Sequence, residues 1–146
     1  MDQIEKDIDS VTAILILANG TVPRINVGTD YALSILSTIF TRTTSKNVAF
    51  LLTNTSNPLY QNFSEDILPE SVKGAPQFLI NNPIALQRKY LELKGSQKMR
   101  AQMTSFREAV KASEQDALEM LVDLFDWLDG LEPQSSTKVV SLHQRY

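Results

Sequence analysis

The chain has 146 residues, 42 % of them hydrophobic and 21 % charged, with a net charge of −3 and no cysteine. That length suits one domain with a single core, and the acidic balance argues against general affinity for nucleic acid or anionic membrane, which need a basic face. Without cysteine there is no disulfide, thiolate nucleophile or thiolate metal site, a composition that fits a reducing compartment.

Residues 1–10 place Ile4 and Ile8 among charges at helical spacing and read as the last turns of a helix. Met1 is followed by Asp-Gln-Ile-Glu-Lys-Asp rather than a basic and then apolar leader, so the expected compartment is the cytoplasm. The longest wholly apolar run, 13–18, is far short of a bilayer crossing. Residues 11–17, VTAILIL, are apolar without polar alternation, which predicts a strand covered on both faces, as in a parallel sheet. Ala-Asn-Gly-Thr-Val-Pro at 18–23 then supplies turn chemistry.

From Thr29 or Asp30 the period changes. Ala32, Ile35, Leu36, Ile39 and Phe40 fall on one face of a helix that ends in the Thr/Ser-rich stretch 41–45. A second strand is expected over 47–53, so that strand, helix and strand make a βαβ unit with parallel pairing. Residues 54–75 form a long polar connection with a helical turn near 65–68, and connections of that length in compact domains tend to be functional loops. A short strand at 77–80 runs into Asn82-Pro83, an N-cap followed by proline at the first helical position, and a helix to about Lys94. Gly95-Ser96 punctuates, a helix covers 98–112, and Ser113 with Asp116 reads as a capping box opening another helix that closes at Gly130. From Gln134 the tail is Ser/Thr-rich and is expected to fray, leaving 1–133 as the ordered unit and 134–146 as a flexible tail.

In open parallel sheets, ligands bind outside the carboxyl ends of the strands. The three strand ends here are Ala18-Asn19-Gly20-Thr21, Thr53-Asn54-Thr55-Ser56 and Asn81-Asn82. All are rich in amides and hydroxyls, and none carries a charge. Such groups can pair with the edge of a heterocyclic base, which presents both donors and acceptors, but they cannot supply a proton-transfer pair near neutral pH. The competing reading is that Asn, Gly and Thr simply end strands and cap helices.

The order ILILANGT, DYALSILSTIF, NVAFLLTNTSNP and QFLINNP resembles the second half of a P-loop GTPase domain, with the terminal FDWLDGLEP as a further mark. The likeness is to G-domain proteins related to the immunity-associated nucleotide-binding GTPases, of the fungal type, and spans residues 2–133. It implies an α/β fold: a partial P-loop NTPase-like (Rossmann-like) sheet of about three mainly parallel strands, flanking helices and a helical C-terminal extension. It also implies that Thr53, Asn54 and Ser56 stand at the guanine-selecting loop, usually Asn/Thr-Lys-x-Asp, and that Asn81 and Asn82 help enclose the base. Asn54 then replaces the lysine and Ser56 the aspartate, and a neutral hydroxyl is a weaker partner for the base than a carboxylate. GTP or GDP is the implied ligand.

Phosphate chemistry needs G-x-x-x-x-G-K-[ST], and no Gly-Lys pair occurs in the chain. The expectation is therefore a G-domain remnant that keeps the base-recognition half without phosphate or Mg²⁺ binding and does not hydrolyse nucleotide. No metal is expected. The alternative is a non-catalytic interaction module using the C-terminal helices.

Elsewhere, His143 reads as a surface residue and Asp123, Asp126 and Asp129 as a solvated stripe. Trp127 is assigned to a helix–helix seam, and the basic residues between Arg88 and Lys111 to a salt-bridged surface. The 11–17 strand and the last helix carry more apolar surface than the remaining elements cover, which predicts self-association or a protein partner.

Overall fold

The computed structural model describes residues 10–23, 28, 30, 31, 34 and 44–135. The element order is β1 (Ser10–Val11), β2 (Ile14–Asn19), β3 (Val48–Thr53), β4 (Gln77–Ile80), α1 (Pro83–Lys94), α2 (Met103–Asp129) and β5 (Gln134–Ser135), with short 3₁₀ turns between. Strands β2, β3 and β4 form a parallel sheet in that order, β1 pairs antiparallel with β5, and the long helix lies at the C-terminal end. This is the expected α/β architecture. Of the helix expected from Asp30, residues Asp30, Tyr31 and Ser34 are helical, while its apolar positions 32, 35, 36, 39 and 40 lie outside the described residues, as do residues 1–9 and His143.

The sheet register is in phase: Ile14, Ile16 and Ala18 stand opposite Val48, Phe50 and Leu52, and Leu52 opposite Leu79. Side chains alternate along a strand, so these residues share one face. The connection 54–76 covers that face with Phe63, Leu68, Val72 and Ala75, and the Phe50 and Phe63 rings meet at 5.6 Å. Val48, Phe50 and Leu52 are wholly buried. Removing each from water stabilises the fold by about 1.5–3 kcal/mol. β3 is buried on both faces because it is central, as its unbroken apolar run predicts.

On the opposite face, Phe78 of β4 meets the Trp127 ring of α2 at 5.8 Å, so Trp127 sits at a helix–sheet seam rather than between helices. The N-terminal part of α2 instead packs on α1 through an apolar seam that includes Leu86, Tyr90, Phe106 and Val110.

Three further expectations change. The first strand is shifted to Ile14–Asn19, because β2 runs on past the apolar stretch and Gly20 N–H still donates to the Thr53 carbonyl at 2.8 Å. Ser113 does not open a helix. Residues 103–129 form one continuous helix, since no glycine or proline interrupts it, and Ser113 is buried in its middle with its hydroxyl donating to the Asn81 carbonyl at 3.4 Å. Gln134 and Ser135, the first residues of the expected tail, pair with Val11 and Ser10. Beside that ladder, the buried Asn47 side-chain amide donates to the Thr12 carbonyl at 2.7 Å and the Glu132 carbonyl at 2.8 Å.

Candidate functional site

The parallel register aligns the three strand ends, with Asn19 opposite Thr53 and Thr53 opposite Ile80. The polar residues that follow each strand therefore lie along one edge of the sheet, where a crevice ligand would be met. Their side chains divide into those that build the fold and those left over.

Thr53 donates its hydroxyl to the Ala18 carbonyl at 3.3 Å, tying β3 to β2. Asn19 accepts from Thr21 N–H at 3.0 Å and Thr21 Oγ1 at 2.8 Å, an Asx turn that reverses the chain after β2. Thr55 is buried, donates to the Asn57 carbonyl at 3.0 Å and presses its methyl towards Gly20, where an added Cβ would lie 2.5 Å from it. That approach explains the glycine of the ILANGT stretch without a ligand. Asn57 then accepts from Leu59 N–H at 2.9 Å and opens a short 3₁₀ turn. Asn82 is the N-cap of α1, its side-chain oxygen accepting from Ile84 N–H at 3.0 Å and Ala85 N–H at 3.4 Å. Thr53 and Asn82 thus have structural partners.

Asn54 and Asn81 differ. Asn54 is exposed and holds a φ of 64°, a left-handed conformation that asparagine tolerates better than most residues. Neither its side chain nor that of Asn81 bonds to any group among the described residues. Both follow adjacent parallel strands directly, so they share the ligand edge. Ser56 is half-buried and lies apart: with Pro58 it lines a cleft of about 260 Å³ against Gln77, Phe78 and Leu79 of β4 and Asp116, Glu119, Met120 and Asp123 of α2.

The sequence reading missed this cleft. It grouped Asp123 with Asp126 and Asp129, all of which are exposed. The signal available was the spacing of Asp116, Glu119 and Asp123, at i, i+3 and i+7, which sets them along one flank of a single uninterrupted helix.

Among the described residues no group of three His, Asp or Glu side chains is placed to hold a metal ion, and no helix is long and apolar enough to cross a membrane. Of the basic residues between Arg88 and Lys111, Lys89 pairs with Glu92 at 3.1 Å and Arg107 donates to the Tyr90 hydroxyl at 3.4 Å. That hydrogen bond draws the Tyr90 pKa below the ordinary phenol value and raises that of Arg107. Comparison with family models, curated proteins and solved structures finds no match.

Proposed function

We propose that the chain is a non-catalytic binding module of G-domain type, whose strand-end amides meet the edge of a purine base while no group grips a phosphate. The observation that supports this reading most is the pair Asn54 and Asn81: adjacent strand ends, side chains without a partner among the described residues, and both donor and acceptor atoms on each. The Thr53 and Asn82 side chains position the edge rather than contact the ligand. Ser56 follows Asn54 by two residues but lines the neighbouring cleft, and a carboxylate in its place would add a charged acceptor to this loop.

Titrating ¹⁵N-labelled protein with guanosine and with GTP, each with and without Mg²⁺, tests the reading. The expected result is shifts at the Asn54 and Asn81 amides of similar size and affinity in all four titrations. Tight, Mg²⁺-dependent GTP binding would overturn the phosphate half of the proposal, and undisturbed Asn54 and Asn81 signals would overturn the base half. Ser56→Asp adds a charged acceptor and should favour guanosine over adenosine by about tenfold.

A second reading rests on a separate observation. Leu118, Leu121, Val122 and Phe125 lie at i, i+3, i+4 and i+7 of α2, and each remains exposed. Contiguous apolar surface of this kind marks an association face. Sedimentation velocity should show association that the double substitution Leu121→Ser and Phe125→Ser removes; an unchanged monomer in both proteins would exclude it.

A further inference from the structure

Among the described residues the parallel sheet has two unpaired edges, β2 and β4, and only β4 borders the cleft under α2. The direction of its backbone groups follows from the register. Phe50 stands opposite Gln77, and Phe50 N–H donates to the Pro76 carbonyl at 2.8 Å. In a parallel ladder the neighbour's residues on either side of the opposed one receive the bonds, so Pro76, Phe78 and Ile80 point towards β3. Gln77 and Leu79 therefore turn their N–H and C=O groups outward.

Gln77 and Leu79 both line the cleft of about 260 Å³ under α2. The wall above the edge is acidic. Asp116, Glu119 and Asp123 line it, and residues 112–129 as a whole carry the carboxylates of 114, 116, 119, 123, 126 and 129 with no lysine or arginine. Among the described residues none of the three lining carboxylates is paired with a cation; Glu119 accepts only from Gln115 Nε2 at 2.8 Å. Met120 and Phe78 form the apolar floor.

An exposed sheet edge is a template for an added strand. Main-chain bonds then hold the incoming segment, and alternate side chains, which point to one face, give selectivity. We infer that the β4 edge receives an extended peptide segment of a partner protein, with lysine or arginine at alternate positions facing α2. Gln77 and Leu79 supply two N–H donors and two C=O acceptors to its backbone. Asp116, Glu119 and Asp123 face its cations. The same carboxylates repel nucleic acid and anionic lipid, so a basic protein segment is the occupant that the charges favour. Ser56 borders both this cleft and the strand-end loop, but the β4 edge is built from Gln77, Leu79 and the α2 carboxylates and does not depend on base binding.

The test uses a synthetic octapeptide of alternating lysine and valine, with a glutamate–valine peptide as its counterpart. Binding of the lysine peptide should slow hydrogen exchange at the Gln77 and Leu79 amides and weaken as salt is raised. Asp116→Asn, Glu119→Gln and Asp123→Asn together should lower its affinity about tenfold. Gln77→Pro deletes an outward donor while leaving the β3 ladder intact, and should also reduce binding with an unchanged fold by circular dichroism. Equal binding of the glutamate peptide, or lysine-peptide binding without protection of these two amides, would overturn the inference. So would amides already protected in the chain alone and released on removing residues 136–146, since the edge would then belong to the chain's own tail.

Discussion

The sheet and the helical hairpin are built on different physical terms. In the sheet, Val48, Phe50 and Leu52 are sealed between neighbouring strands and the 54–76 connection, and backbone bonds run between segments far apart in sequence. In the hairpin, α1 has no buried residue at all, and Ile84 and Leu91 remain more than half exposed. Beyond its half-buried seam with α2, its order comes from local devices, namely the Asn82 cap, Pro83 at the first turn and the i to i+4 ladder. A region with few buried apolar contacts opens at lower free energy than one with a closed core. Amide exchange should therefore run faster in α1 than in β3.

Substitutions sharpen that contrast. Phe50→Ala should have the largest effect, a loss of about 3–5 kcal/mol by urea denaturation, because the ring is wholly buried and meets Phe63. Gly20→Ala should cost about 1–3 kcal/mol, since its Cβ would press on the Thr55 methyl and on the β3 backbone. A smaller loss would mean that the β2 end is looser than its hydrogen bonds imply. In the hairpin, Asn82→Ala should cost about 1 kcal/mol and raise exchange in the first turn of α1 without altering that of β3. Leu91→Ala should stay within about 0.5 kcal/mol; a larger loss would show α1 to be part of the core and would erase the contrast.

The smallest effect is electrostatic. Arg107 beside Tyr90 lowers the phenol pKa in the folded state, so the folded protein holds fewer protons than the unfolded chain as pH approaches the unperturbed tyrosine value. Stability from this pair therefore rises between the lowered and the ordinary pKa, and is absent at neutral pH. Ultraviolet titration should show Tyr90 ionising early, and Arg107→Gln should return it to the ordinary range.

The central strand β3 was legible in the sequence because burial on both faces writes itself as an unbroken apolar run, and β4 also falls where it was expected. Strand β2 departs from the same rule, being half-buried with Leu17 exposed rather than covered on both faces. Helix continuity was not legible. Ser113 and Asp116 have the spacing of a cap, and only the distant Asn81 carbonyl shows that the serine hydroxyl is used for tertiary bonding. The β1–β5 ladder was equally hidden, since two residues on each side carry no periodicity. At the strand ends, sequence gave the residue types but could not separate the side chains spent on turns, such as Thr53 and Asn82, from Asn54 and Asn81. That division depends on partners supplied by β2 and by the start of α1.

Asn47 carries a topological consequence. By holding the carbonyls of Thr12 and Glu132 together, its amide brings the entering and departing segments side by side where β1 meets β5. Joining residue 10 to residue 135 by a short linker across that clasp, with new ends opened at Gly95-Ser96, should yield a permuted protein with the same sheet.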